Sequence, residues 1–234
     1  MEETAEHWDD FWRTANVRYT HDTTIAAIER LKVDSVLEIG AGSGRDLQEL
    51  KARGHSVAFA DWSAEAVKRF SRRNPGVPSL RIDARKMPFC DNSFELVMSL
   101  GLLEHFDREE RQEIFKEQFR VARRFVLVDV PQKFAPAAVI TRTLTLLRLW
   151  PHGEEEPFTY GQLLREVDES VQVRRTAASY GRELVPLPRN LKGRVYSLLP
   201  GPVRRAYVGL HPYLTRGLAG SFAIVFEKAG TQAG

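Results

Sequence analysis

The stretch "VLEIGAGSGRD", residues Val36 to Asp46, places three glycines and a carboxylate between an apolar run and a segment with helical character. A glycine-rich turn between a first strand and a helix lets backbone N–H groups approach a ligand closely. The order of these residues therefore predicts a strand that ends in a ligand-binding turn, with a helix starting directly after it.

Three kinds of ligand are bound by such turns, and the spacing of the glycines separates them. A phosphate-binding P-loop needs Lys followed by Ser or Thr after the last glycine, whereas Gly44 is followed by "RD". The dinucleotide fingerprint G-x-G-x-x-G is not met, because Gly40, Gly42 and Gly44 are spaced two apart. The pattern E-x-G-x-G-x-G, which begins at Glu38, is met in full. A carboxylate at that position would repel a pyrophosphate but suits an ammonium or sulfonium group.

Short apolar runs alternate with amphipathic segments along the chain, which is typical of a parallel sheet with crossover helices. The predicted strands are Ser35–Ile39, Val57–Ala60, Leu80–Ile82, Phe94–Ser99, Phe125–Val130, Val171–Ala177 and Phe222–Glu227. The predicted helices of the core are Arg45–Arg53, Ala64–Arg72 and Arg108–Ala122. The expected fold is α/β, with a Rossmann-like, mostly parallel sheet of seven strands flanked by helices.

Four ordered motifs between Val33 and Val130 carry a family resemblance. They are "VLEIGAGSG", "VAFADWS", "LRIDARKMPFCDNSFELVMS" and "LGLLEHF". Together they resemble the class I S-adenosylmethionine-dependent methyltransferases, in particular the type 11 group that includes ubiquinone and menaquinone biosynthesis enzymes. The resemblance implies S-adenosylmethionine as cofactor and a site at the carboxyl ends of the strands.

The resemblance also implies a role for individual residues. The implied cofactor-binding set is Glu38, Gly40, Ala41, Gly42, Gly44, Asp61, Trp62, Asp83, Ala84 and Ser99. The three glycines bring the backbone close to the methionine part of the cofactor. Glu38 anchors the amino acid end of that part, and Ser99 lies beside its tail. Asp61 accepts hydrogen bonds from the ribose diol, and Asp83 accepts one from the adenine amino group. Trp62 either offers a flat face to adenine or packs in the core.

His105 is the candidate catalytic residue, because its loop lies beside the expected position of the transferable methyl group. An imidazole could deprotonate a hydroxyl or amine acceptor during transfer. The alternative is that His105 caps or packs against the helix that begins near Asp107. Methyl transfer from a sulfonium depends mostly on alignment, so activity does not require this base.

Both ends of the chain extend beyond the core. The predicted organisation is 1–33 as an N-terminal helical lid, 34–130 as the cofactor-binding core, 131–170 as cap helices, and 171–234 as the last two strands with a basic insertion at 182–219. Trp12 and Tyr19 are the candidate substrate-lid residues. The alternative for the N-terminal segment is a helix packed permanently against the sheet edge.

Charge is distributed unevenly along the chain. The net charge is +3, yet residues 182–216 contain seven Lys or Arg against one acidic residue, Glu183. Apolar and aromatic residues alternate with these charges, which predicts weak association with an anionic membrane surface. The alternative is a cap over the active site whose arginines face water.

These observations favour an enzyme that transfers a methyl group to a small or lipophilic molecule. The basic segment leaves an RNA or protein methyltransferase open, and a non-catalytic cofactor-binding module is a third alternative. "SLGLL" stands where DNA-adenine methyltransferases carry an Asn- or Asp-Pro-Pro-aromatic motif, so nucleic acid is disfavoured as substrate.

The remaining composition bears on metals and compartment. The six histidines are scattered, so no metal site is expected. The single cysteine, Cys90, and an acidic, polar N-terminus without a leader pattern favour a cytoplasmic protein. Peripheral contact with a membrane would be added by the basic segment.

Overall fold

The computed structural model describes residues 4–15, 20–135, 138, 142–143, 145–146, 155–171, 173–180 and 220–229. The helices are α1 (Ala5–Thr14), α2 (Asp22–Leu31), α3 (Arg45–Ala52), α4 (Ala64–Arg73), α5 (Arg108–Val121) and α6 (Tyr160–Ser170), with a 3₁₀ turn at Leu103–His105. The strands are β1 (Ser35–Ile39), β2 (Ser56–Asp61), β3 (Ser79–Arg81), β4 (Phe94–Leu100), β5 (Ala122–Pro131), β6 (Val173–Tyr180) and β7 (Ser221–Lys228). The basic segment 182–216 and Tyr19 lie outside the described residues.

The described strands form one sheet of seven in the order β3-β2-β1-β4-β5-β7-β6. The first five pair in parallel, and β7 runs antiparallel to both β5 and β6. The predicted α/β fold with a mostly parallel sheet is therefore confirmed. The strand order reverses between β1 and β4, and ligands of such sheets bind outside the carboxyl ends of the strands at that point.

Both faces of the sheet are covered, because neighbouring residues of a strand point to opposite faces. On β1, Val36 packs with α2, α3 and α4 on one side, whereas Leu37 packs with α5 and α6 on the other. This double burial explains why the strands read as nearly continuous apolar runs. Because both faces are covered, polar side chains of the strands lie mainly at the strand ends.

α5 begins with a capping box that fixes the loop preceding it. The Asp107 carboxylate accepts the Glu110 N–H at 2.9 Å, and the Glu110 carboxylate accepts the Asp107 N–H at 3.2 Å. These two bonds satisfy donors that a helix start leaves unpaired. The helix start is therefore capped by Asp107, and the alternative role of His105 as its cap is not needed.

α6, predicted as part of a cap, packs against α5 in the core. Leu163 and Val167 of α6 belong to the same apolar cluster as Ile114 of α5. At the edge of this contact, Arg111 is 2% exposed, and its guanidinium donates to the Glu166 carboxylate at 2.9 Å. The pair connects α5 to α6 through charge as well as apolar contact.

Candidate functional site

The glycine turn after β1 has the conformation that its sequence requires. Gly40, Gly42 and Gly44 have φ values of +63°, +49° and +64°, a region that side chains disfavour. A β-carbon on Gly40 would lie 2.7 Å from Leu102 Cδ1, and one on Gly42 would overlap the indole ring of Trp12. The turn is thus approached closely by the loop after β4 and by α1.

Asp61, at the end of β2, is attached to this turn. Its Oδ2 accepts the Gly42 N–H at 2.7 Å and its Oδ1 accepts the Ser63 N–H at 2.8 Å. Burial raises the pKa of Asp61 to about 6, against the lowering effect of these two bonds, and nearby Asp9 adds to the rise. A carboxylate offers about four acceptor positions, so these bonds leave capacity for a ligand hydroxyl.

Two buried polar atoms near the turn lack a hydrogen-bond partner in the described part of the chain. They are Glu38 Oε2 on β1 and Ser99 Oγ on β4, in residues 3% and 1% exposed. β1 and β4 are paired, with Ser99 beside Ile39. Burial first, and then the charges of Asp46 and Asp61, raise the pKa of Glu38 well above its usual value. An unsatisfied buried carboxyl group is costly, and a cationic ligand would offset that cost.

The predicted adenine end is arranged differently from the methionine end. The Asp83 carboxylate accepts from Arg85 Nη2 at 2.8 Å, and this contact lowers the pKa of Asp83. Arg85 also reaches Glu110 at the start of α5. Ala84, which lies between Asp83 and Arg85 in the sequence, is half-buried. Trp62 is half-buried and belongs to neither apolar cluster of the described residues, which disfavours its core-packing alternative.

α1 crosses the site and contacts elements on both sides of it. The Asp9 carboxylate accepts from Ser63 Oγ at 2.5 Å and from the Glu65 N–H at 3.0 Å, at the start of α4. Trp12 covers Gly42, and its carbonyl accepts from Arg69. On the other side, the Trp8 ring meets the His105 ring edge-on, with centroids 4.9 Å apart. These contacts cover the carboxyl ends of β1, β2 and β4.

Further acidic groups, which the motif analysis did not select, lie beyond β4. Glu104 is 6% exposed and Asp129 of β5 is 5% exposed, and burial raises the pKa of both, that of Glu104 to about 7. His21, at the start of α2, contacts Asp46 twice, through its backbone N–H at 2.8 Å and its ring Nδ1 at 2.9 Å. The sequence alone indicates burial for Glu104 and Asp129, but it gives no sign of the contact between His21 and Asp46. Glu104 and Asp129 are single acids inside apolar runs, "LGLLE" and "FVLVDV".

Comparison with known proteins gives the family of the core. Residues 36–124 match the family model described as a methyltransferase domain. A demethylmenaquinone methyltransferase from Beutenbergia cavernae is 33% identical over 95 residues, which cover 40% of this chain and 36% of that protein. Residues 36–124 are a class I methyltransferase domain. The methyltransferase resemblance inferred from the motifs is therefore confirmed.

Solved structures extend the likeness in fold beyond this methyltransferase domain. An S-adenosylmethionine-dependent methyltransferase from Archaeoglobus fulgidus superposes with a TM-score of 0.59 at 18% identity, covering 89% of this chain and 95% of that one. The magnesium protoporphyrin IX methyltransferase of Synechocystis, solved with S-adenosylhomocysteine, gives 0.60 at 12% identity, covering 96% and 93%. The curated relative, in contrast, is matched over little more than a third of its length.

The described residues also bear on metal binding and on membrane insertion. Within the described residues, no three His, Cys, Asp or Glu side chains are grouped as a metal ion would require. Over that same part of the chain, every helix is too short or too polar to cross a membrane.

Proposed function

We propose that this chain is an S-adenosylmethionine-dependent methyltransferase that acts on a small or lipophilic acceptor. The observation that carries the proposal is the pair of unpartnered buried atoms, Glu38 Oε2 and Ser99 Oγ, beside a glycine turn in a methyltransferase domain. These atoms fit the cofactor, since its ammonium and sulfonium groups are cationic. When bound, the cofactor supplies a methyl group activated by the positive charge on sulfur.

The residues of the chain then bind and orient. Glu38 is proposed to hold the amino group of the cofactor and Ser99 to line its methionine tail. Asp61 is proposed to accept from the ribose diol, and Asp83 and Ala84 to face adenine beside Trp62. Because the leaving group is already good, the protein contributes mainly by positioning the acceptor and excluding water.

The acceptor class is proposed from the relatives. The Beutenbergia protein is named a demethylmenaquinone methyltransferase, and the Synechocystis protein acts on a porphyrin. Both substrates are lipophilic ring systems. A hydroxylated aromatic ring, such as reduced naphthoquinone, is therefore the first acceptor to test.

α1 is proposed to be a lid over this site, within an N-terminal unit of residues 1–33. The support is its position, since Trp12 covers Gly42 while Trp8 contacts His105. A helix that contributes no fully buried side chain of its own opens at lower cost than a core helix. Residues 34–130 form the proposed core unit, with the later segments as additions to it.

A weak association with anionic membranes through residues 182–216 is also proposed, in a cytoplasmic protein. Its support is composition alone, seven basic residues against one acidic residue in that range. Co-sedimentation with anionic vesicles, compared with neutral vesicles at low and high salt, tests it. Absence of binding to anionic vesicles at low salt would reject the idea.

Titration calorimetry with S-adenosylmethionine and S-adenosylhomocysteine tests the main proposal. We expect both to bind, and labelled methyl transfer to 1,4-dihydroxynaphthalene to follow. Binding of neither compound would overturn the proposal. Binding without transfer to any of a set of hydroxyl and amine acceptors would instead favour a non-catalytic module.

A further inference from the structure

Glu104 lies in the 3₁₀ turn after β4 and has an unusual environment for a carboxyl group. The residue is 6% exposed, and its Oε2 has no hydrogen-bond partner in the described part of the chain. Its backbone carbonyl accepts the Glu156 N–H at 2.8 Å, which attaches the turn to the segment that precedes α6. A buried oxygen that has no hydrogen-bond partner requires an explanation, since no hydrogen bond to this oxygen offsets its desolvation.

The loop that carries Glu104 lies against the proposed cofactor site. Leu102 of this loop is the side chain that closely approaches Gly40, and His105 meets Trp8 of the proposed lid. A β-carbon on Gly101 would lie 3.5 Å from Glu104 Oε1, so the side chain folds back toward the end of β4. Glu104 therefore belongs to the loop that borders the proposed cofactor site, at the end of β4.

The charges around Glu104 come from three segments. His105, its neighbour in the turn, favours the carboxylate, while Glu155 and Asp129 disfavour it. Burial is the largest effect, and together these raise the pKa of Glu104 to about 7. A general base works best when its pKa is near the working pH, and buried acids with shifted pKa values cluster at functional sites.

We propose that Glu104 is the general base of the reaction and accepts the proton of a hydroxyl group on the acceptor. This inference rests on the proposed function. In the balanced step, a lone pair of the acceptor oxygen forms the bond to the methyl carbon, and the carbon–sulfur bonding pair goes to sulfur. The hydroxyl proton moves to Glu104 Oε2, and solvent removes it after product release.

Glu104 suits this role better than His105, the candidate from the sequence. The His105 ring is edge-on to Trp8 and the residue is only half-buried. Its charge can still assist by favouring the carboxylate of Glu104. His105 is thereby a positioning residue, and Glu104 is the group that contacts the acceptor.

The test uses the 234-residue chain with S-adenosylhomocysteine bound, and 1,4-dihydroxynaphthalene, kept reduced, is the probe whose binding is measured. For wild type we expect the affinity to rise between about pH 6 and about pH 8, because the carboxylate accepts a stronger hydrogen bond than the carboxyl. Glu104→Gln should bind roughly tenfold or more weakly at pH 8 and lose the pH dependence. Glu113→Gln, on the exposed face of α5, is the matched control and should behave as wild type.

Two further readouts separate a catalytic from a structural role. Infrared difference spectra should show protonated-carboxyl absorption that titrates near pH 7, and the part contributed by Glu104 should be missing in Glu104→Gln, while that of Glu38, Asp61 and Asp129 remains. Turnover with S-adenosylmethionine should fall by about 10²–10⁴-fold in that variant. Glu104→Asp should keep a titrating carboxyl band yet lose turnover, since its oxygen is withdrawn by one methylene.

The outcomes distinguish the inference from the proposed function. A folded Glu104→Gln protein that binds the probe and transfers methyl groups as wild type does would overturn the role of Glu104 alone. A wild-type complex that binds an amine probe but not the hydroxyl probe would overturn the stated acceptor class. Failure of wild type to bind S-adenosylhomocysteine would overturn the proposed function itself.

Discussion

The indole ring of Trp12 lies directly against the backbone of Gly42, thirty positions later in the chain, so that even a β-carbon on Gly42 would overlap it. The same backbone donates its N–H to Asp61 at 2.7 Å. The proposed lid, the glycine turn and the proposed ribose acceptor therefore meet at one residue. A change at this point should affect binding of the cofactor more than folding.

Gly42→Val should lower cofactor affinity strongly, because its side chain would collide with the Trp12 indole and displace the turn and α1 from each other. The φ of +49° adds strain of about 1–3 kcal/mol, which thermal unfolding would show. Gly54→Ala is the matched control, since Gly54 has a φ of +99° but nothing within 4 Å of a β-carbon. It carries strain without obstruction and should bind normally in titration calorimetry. Unchanged affinity in a folded Gly42→Val protein would show that the site lies elsewhere.

Bound cofactor should change the proteolysis of α1 if this helix is a lid. Arg13 has a side chain 63% exposed, and trypsin should cleave after it more slowly once the cofactor holds the lid closed. Arg53, at the end of α3, has a side chain 45% exposed and serves as the internal control. Mass spectrometry of the digests gives both rates. Equal cleavage at Arg13 with and without cofactor would leave α1 as a permanently packed helix.

Asp61→Ala should weaken cofactor binding by roughly 1.5–3 kcal/mol, the usual loss for a hydrogen bond to a charged group. The expected change in dissociation constant is about 10- to 150-fold. Asp168→Ala, on the exposed surface of α6, is the control. A loss below about threefold would contradict the ribose assignment of Asp61.

Glu104→Gln should stabilise the fold at neutral and higher pH. The pKa of Glu104 rises from its usual 4.5 to about 7 on folding, so the unfolded chain loses this proton first as the pH increases. Wild type should therefore lose stability relative to the variant between about pH 4.5 and about pH 7, by about 3 kcal/mol in all. Urea unfolding at several pH values measures this difference. A constant difference across that window would show that the pKa of Glu104 is not raised.

Arg111→Met should destabilise the protein by about 3–5 kcal/mol, because it leaves the Glu166 carboxylate buried without its cation. The two side chains are 2% and 6% exposed. Arg108→Met, at the exposed pair with Glu169, should have a much smaller effect, because water already solvates both charges. Equal losses in the two variants, measured by urea unfolding, would contradict this assignment of the stabilising contact.

The sequence by itself determined the fold and the position of the glycine turn, because these follow from local patterns. Apolar runs give the strands, since a strand covered on both faces needs apolar side chains at successive positions. The positions of Glu38, just before the turn, and of Gly44, just before α3, follow from their neighbours along the chain. The seven predicted strands agree with the structure to within three residues at either end.

Contacts between residues far apart in sequence were decided only by the tertiary structure. Asp9 accepts from Ser63, fifty-four positions later, and Arg111 donates to Glu166, fifty-five positions later. No local pattern specifies such pairs, because they depend on how helices cross the sheet. The same holds for Glu104, whose sequence neighbours indicate burial but not the missing partner of its Oε2. A raised pKa arises from desolvation by surrounding elements, and desolvation exists only once those elements have packed.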